Sequence, residues 1–271
     1  VTHDESNTCI TYAALSVHDI VTYAIPIPNN HILNTLLVKF FISIFGMHPL
    51  PVRLPNVIGF ALYFTIICLF TRKISNNPFV TFFGIAAMTC NPYLLDFFSL
   101  ARGYALSISF MMTSLYFAYL FLEKPKNTYL SCSIFFGVLA VYTNFTTLNF
   151  YAALVIVLGL VTLQQKYLLR KEKPHFLNSL VSQWGIIITG TMLLAAVSYL
   201  PISKMVATDQ FVFWGSNGFY TDTILSLVKG LQYNVQYFGV KETGFSYLII
   251  GFAAIISIVC IWVLVKMRAD V

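Results

Sequence analysis

Charge is the scarcest commodity in this sequence. Only 10% of its 271 residues are charged, against about a quarter in a soluble globular domain. With 58% hydrophobic and 16% aromatic residues and a mean hydropathy of +0.78, the chain is solvated mainly by lipid. Acids are scarcer than bases, ten Asp and Glu against sixteen Lys and Arg. The resulting charge of +6 does not indicate nucleic-acid binding, because the basic residues form no single patch. Cysteine is also sparse: of Cys9, Cys68, Cys90, Cys132 and Cys260, four lie within or at the ends of apolar runs. Their spacing matches neither a disulfide framework nor a metal centre. No stretch reads as a cleavable signal peptide and the first residue is not Met, so a fragment of a longer chain is expected.

What is abundant is apolar length. Runs long enough to cross roughly 30 Å of hydrocarbon occur at about 52–71, 78–98, 103–122, 128–146, 148–165, 182–203 and 246–265. They predict an all-α, polytopic transmembrane helix bundle of seven crossings. Arg72, Lys73, Lys124, Lys126, Lys166, Arg170, Lys171, Lys173, Lys266 and Arg268 all fall on one side of it, ten of the sixteen cations, which makes that side cytoplasmic. Asp4, Glu5, Asp19, Asp96, Asp209, Asp222 and Glu242 map to the opposite side or its boundary, seven of the ten acids. Exclusion of carboxylates from lipid explains part of that asymmetry, and chemistry is expected on the outer face. The membrane is expected to be the plasma or inner membrane of a prokaryote, or the endoplasmic reticulum if the source is eukaryotic.

The segment ahead of the first clear span needs separate treatment. His31 to Phe45 is apolar but short, with Lys39 near its middle. A mid-span Lys is costly, so the segment is expected to lie in the interface as an amphipathic helix with Lys39 snorkelling to the headgroups. Residues 9–23 read as another short amphipathic helix, separated from it by Pro26-Ile27-Pro28-Asn29-Asn30. Asn144-Phe145-Thr146 is a formal glycosylation sequon in a connector too tight to carry a glycan comfortably. A second long external segment, 204–245, holds the aromatic turn Trp214 to Phe219 and a helical apolar rhythm at Ile224, Leu227, Val228 and Leu231. The aromatics there fit an interfacial belt or a groove for a lipid-linked substrate. The chain is read as one transmembrane domain, 1–271: external loop 1–51, six-helix bundle 52–203, external loop 204–245, and a last helix with its tail at 246–271.

At the outer boundary, Asp96 and Arg102 flank Phe97-Phe98-Ser99-Leu100-Ala101, and Gly103-Tyr104 follow. A mutual ion pair is the bland reading. The functional one has the forked guanidinium of Arg102 holding a phosphate, with Gly103 allowing close approach of the backbone.

Five short motifs then occur in order: Asp4-Glu5, Pro28-Asn29-Asn30-His31-Ile32-Leu33, Phe45-Gly46, Val52-Arg53-Leu54-Pro55 and Ala101-Arg102-Gly103-Tyr104. Their order and placement resemble the GT-C glycosyltransferases of the protein O-mannosyltransferase and aminoarabinose-transferase type, family 39-like enzymes that use polyprenyl-phosphate sugars. The resemblance covers residues 1–125 well and the loop at 205–245 more loosely. It implies a transferase acting at the outer mouth of its bundle, with Asp4 as catalytic base and Glu5 as the second member of the acidic pair. It further implies Arg102 as a contact for the donor phosphate, and Tyr104, His31 and Asp96 as substrate-side residues. The family pattern has one transmembrane helix before the acidic loop and usually several after the last external loop, which this sequence does not show.

The residue types suit that chemistry on their own terms. A sugar esterified to a lipid phosphate carries a good leaving group, so a carboxylate to deprotonate an acceptor hydroxyl and a cation for the departing phosphate suffice. Direct displacement inverts the anomeric centre; a covalent intermediate needs a second carboxylate, for which Glu5 and Asp96 are available. The implied partners are a polyprenyl-phosphate sugar, a lipid, glycan or protein acceptor, and membrane lipid. The cofactor is undetermined: His3 beside Asp4 does not support a metal assignment. Two alternatives stand beside the enzyme. One is a transporter or lipid-handling protein, although polar groups at mid-span would then be expected. The other is an inactive scaffold of the same fold.

Overall fold

The computed structural model describes residues 3–169 and 176–210 and a few isolated positions beyond 210; at 3, 4, 92, 93, 165–169 and 176–180 it describes backbone only. The chain divides into two compact units, Val1–Phe211 and Val212–Val271. The expected external segment 204–245 beyond 210, the last span at 246–265 and the basic tail lie outside the described residues, as do the charges Arg170, Lys171, Lys173, Asp222 and Glu242.

Within the first unit the regular structure is helical throughout, and no strand occurs among the described residues. A single turn α1 (His3–Ser6) runs into a π-helical turn at Asn7–Tyr12, followed by α2 (Val17–Val21), α3 (Ile32–Phe45), α4 (Pro49–Ile74), α5 (Pro78–Thr89) and α6 (Pro92–Ser99). Then come α7 (Gly103–Glu123), α8 (Asn127–Thr143), a 3-10 turn at Phe145–Thr147, α9 (Leu148–Leu169) and α10 (Phe176–Ala207). Among the described residues, four stretches are long and apolar enough to cross a membrane: Pro49–Ile74, Gly103–Glu123, Phe145–Gln164 and Val181–Ala207.

Two elements differ from expectation. The apolar run at 78–98 is not one helix but α5 and α6, broken at Cys90–Asn91. Pro92 supplies the reason, since it has no N–H to continue the helix and disfavours helical backbone at the residue before it. Asn91 then opens α6 by accepting the Leu95 N–H at 3.0 Å. Residues 9–23 likewise form no single amphipathic helix. Ser16 sits in extended backbone and caps α2, accepting from the Asp19 N–H, and Tyr23 ends the segment in left-handed backbone at φ 57°.

The bundle is held by apolar and small-residue packing. Phe121, Leu130, Leu158 and Ile187 bury one cluster between α7, α8, α9 and α10. Tyr63, Ile67, Phe98 and Ala105 bury a second between α4, α6 and α7. An ion pair, Lys73 to Glu123 at 2.9 Å, joins the half-exposed ends of α4 and α7, whereas the buried links are uncharged: Ser114 donates to the Ser133 carbonyl at 2.7 Å and Ser133 returns a bond to the Ser114 carbonyl at 3.0 Å. Ser109 donates to the Gly59 carbonyl at 2.8 Å. Such hydroxyl bonds bring lipid-embedded helices together at small residues, each contributing about 1 kcal/mol.

Helix α3 buries Ile32, Asn34, Thr35 and Val38 and exposes Phe40, Ile44 and Phe45, an amphipathic division. Lys39 does not reach away from the protein as expected; its ammonium donates to the Ala13 carbonyl at 3.0 Å. Backbone oxygens left without helical partners between the π turn and α2 provide that acceptor.

Candidate active site

The first segment, though rich in polar groups, is tied to the bundle at several points. Glu5 is 1% exposed. Its carboxylate receives a two-pronged bond from Arg53 of α4, Nε to Oε1 at 2.8 Å and an Nη to Oε2 at 3.0 Å. The parallel geometry matches the planar fork of guanidinium to carboxylate. The Ala101 N–H also donates to Oε1 at 3.0 Å. Glu5 thereby joins α1, the start of α4 and the turn between α6 and α7; burial, and after it the Glu5 charge, pushes the neighbouring Cys9 thiol upward in pKa. Both oxygens of the Glu5 carboxylate are thus engaged by donors of the protein itself.

Asp4 precedes Glu5 in the same helical turn, and its backbone alone is described. Because Glu5 bonds the backbone of Ala101, α1 docks one residue away from Arg102. Arg102 stands in extended backbone at the N-cap of α7, with its guanidinium carbon 5.2 Å from the Tyr104 ring centroid, within cation–π range. The Tyr104 ring meets the imidazole of His31 edge-on at 5.0 Å and the ring of Phe97 at 5.3 Å. His31 is buried at the N-cap of α3.

Gly103 makes this approach possible. A Cβ there would lie 2.6 Å from both Cβ and Cγ of His31 and 2.7 Å from the Thr143 carbonyl. The neighbour that needs the missing side chain is therefore His31 together with the end of α8. Nearby, Asn30, Asn34, Thr35 and Asn56 form a buried polar layer in which Thr35 donates to Asn30 Oδ1 and Asn56 donates to Asn34 Oδ1, both at 3.2 Å.

Four of the six sequence-derived site residues thus belong to one locality: Glu5, Arg102, Tyr104 and His31, with Asp4 adjacent to it along the backbone. Asp96 differs. It is exposed on α6 and forms no ion pair among the described residues, so the bland pairing with Arg102 is not formed. The Arg53 to Glu5 pair is not evident from the Val52-Arg53-Leu54-Pro55 motif, although a lone cation in the opening turn of an apolar span is a signal for a buried acidic partner. Lys204 makes a second such link: from the end of α10 its ammonium donates to the Thr22 carbonyl at 2.5 Å. Asn144 of the sequon is buried, and its side-chain oxygen caps the 3-10 turn through the Thr146 N–H.

Residues 30–188 match the profile of the dolichyl-phosphate-mannose-protein mannosyltransferase family. That stretch takes in His31, Arg53, Asp96, Arg102 and Tyr104 and begins after the acidic pair. No curated protein and no solved structure matches the chain. The matched stretch is more than half of an all-helical, lipid-solvated chain, and the chain belongs to that family: an integral membrane glycosyltransferase, GT-C in type, that takes its sugar from a lipid-linked donor.

Proposed function

We propose that the chain transfers a sugar from a polyprenyl-phosphate donor to an acceptor hydroxyl at the outer face of the membrane, with Asp4 as general base. Arg102 binds the donor phosphate, Tyr104 and His31 shape its seat, and Glu5 holds Asp4 and Arg102 in register. In the step itself the Asp4 carboxylate takes the acceptor proton as the acceptor oxygen bonds to the anomeric carbon. The anomeric carbon–oxygen bond breaks, and the electron pair leaves with the lipid phosphate, whose growing charge Arg102 offsets. One carboxylate acting directly gives inversion.

The observation that carries this reading is the Glu5 to Ala101 bond, which brings the residue after the proposed base against the residue before the proposed phosphate contact. Asp96, exposed and without an ion pair among the described residues, is assigned to the approach of the polar substrate. The residues at 1–271 act in this reading as one transferase domain.

Sugar transfer from a polyprenyl-phosphate donor in membranes tests it. Asp4→Asn is expected to lower kcat by about 10²- to 10⁴-fold, the range for loss of a positioned base. Unchanged transfer in Asp4→Asn removes the proposed base. Arg102→Ala is expected to weaken donor use, and an unaltered apparent donor KM would remove its phosphate role.

A further inference from the structure

The polar bonds between helices are of two kinds. Ser109 and Ser114 of α7 donate to backbone carbonyls of α4 and α8, and a hydroxyl used in this way leaves little polar surface over. Asn34 of α3 and Asn56 of α4 instead meet amide to amide: Asn56 Nδ2 donates to Asn34 Oδ1 at 3.2 Å, and both residues are fully buried. The other two amide atoms, Asn34 Nδ2 and Asn56 Oδ1, are buried too and find no hydrogen-bond partner among the described residues. Two unpaired amide atoms weaken the contact that holds them, and a pair of leucines would fill the same place without that cost. Stability alone therefore does not account for the pair, and a buried arrangement that lowers stability points to function.

Its place in the fold says which function. Asn34 stands in the first turn of α3, whose capping residue His31 accepts the Thr35 N–H at 2.8 Å and meets the Tyr104 ring. Asn56 stands three residues after Arg53 on α4, so the two share a face. Pro55 lies between them and has no N–H to give, so the turn of α4 that carries Arg53 lacks one of its own helical bonds. The Asn56 side chain ties that turn to α3 instead. The pair thereby bridges the two halves of the site. On one side is Arg53, which forks onto Glu5 beside Asp4; on the other is His31, which packs on Tyr104 beneath Arg102.

We propose that Asn34 and Asn56 are positioning residues whose amide–amide bond sets the spacing between the base-bearing turn, held through Arg53, and the phosphate seat, held through His31. The inference rests on the transferase reading and adds the element that keeps its two parts in register. An apolar contact is non-directional; it would press α3 against α4 without fixing their rotation or rise. A hydrogen bond between two short, buried side chains fixes both.

The test uses the full chain in lipid nanodiscs with a polyprenyl-phosphate sugar as donor. Asn34→Leu combined with Asn56→Leu matches each amide heavy atom for heavy atom. The double variant is expected to unfold at the wild-type temperature or above it and to keep its donor KM. Its kcat is expected to fall about 10²-fold, the loss for a misplacement near 1 Å. Retained kcat overturns the inference. So does a fall of thermal stability in step with kcat, because the pair is then ordinary glue between helices. A double-mutant cycle reads the same point without reference to stability. Since the pair acts through Arg53, adding Arg53→Lys is expected to lower kcat by less than the product of the separate losses, and losses that simply multiply overturn the inference. If the wild type transfers no sugar, the transferase reading fails and the positioning role with it. A wild type that transfers sugar, with kcat intact in the leucine variant, leaves that reading standing and removes the positioning role alone.

Discussion

The first segment and the helix bundle are held by different forces. Inside the bundle, α7 and α8 meet through Ser114, Ser133 and buried aliphatic side chains, with no charge between them. The segment from Glu5 to Tyr23 packs Cys9, Ile20 and Tyr23 against the bundle and adds three cations from three helices: Arg53 of α4 on the Glu5 carboxylate, Lys39 of α3 on the Ala13 carbonyl and Lys204 of α10 on the Thr22 carbonyl. Many small apolar contacts make the bundle tolerant of any single loss. A segment whose register also depends on a few polar links is sensitive at each one, and this segment carries the proposed base. Substitutions in the bundle should therefore act first on folding, and substitutions at the links first on activity.

Arg53→Ala is the most severe way to probe that contrast. It leaves the Glu5 carboxylate, 1% exposed, without its forked partner. Breaking a buried pair on one side costs about 3–5 kcal/mol, enough to undock α1 from the Ala101 turn. The expected result is loss of most sugar transfer with the bundle still assembled, read as activity beside thermal unfolding of the purified chain. Arg53→Lys restores charge without the fork and is expected to recover part of the activity. Equal destabilisation of bundle and activity in both variants would break the distinction.

Gly103→Ala comes next, because it strains the junction of the two regions. The new methyl would meet both the His31 side chain and the Thr143 carbonyl. The imidazole can shift but the backbone of α8 yields less, so about 1–3 kcal/mol of overpacking is expected. Activity is expected to fall more than stability, since Arg102 and Tyr104 flank the position. Ser114→Ala, at the α7–α8 contact, gives the bundle's side of the comparison: a loss near 1 kcal/mol in unfolding measurements, with donor KM retained.

The sequence made the bundle far more legible than the links. Long apolar runs announce helices because lipid leaves the backbone no other way to satisfy its own hydrogen bonds, and the ordered motifs identified the family. The acidic pair and the Ala101-Arg102-Gly103-Tyr104 turn were visible as candidates for the same reason. The pairing of Glu5 with Arg53 was not, because 48 residues separate them and any external cation could have served. The same holds for Lys39 and Lys204, whose acceptors are backbone carbonyls that no side-chain pattern reports. The break at Asn91-Pro92, by contrast, is local in origin and could be read as a boundary.

The smallest expected effect lies at the far end of the segment, where no buried charge is involved. Ser16 caps α2 by accepting from the Asp19 N–H at 3.1 Å and donating its hydroxyl to Asp19 Oδ2 at 2.7 Å. The bond from Ser16 is the main reason the Asp19 carboxyl sits below the ordinary carboxylate range, helped by His18. A depressed folded pKa means the stabilisation is complete above the unfolded value, about 3.9, and is lost as pH falls through the folded value. In Ser16→Ala the amides of α2 are expected to exchange hydrogen faster at neutral pH, and the further acceleration on acidification is expected to flatten. Sugar transfer should drop less than in Gly103→Ala, because Lys204 still holds the Thr22 carbonyl. If transfer instead collapses as in Arg53→Ala, the segment behaves as one cooperative unit, and the three links share a single function that no one of them performs alone.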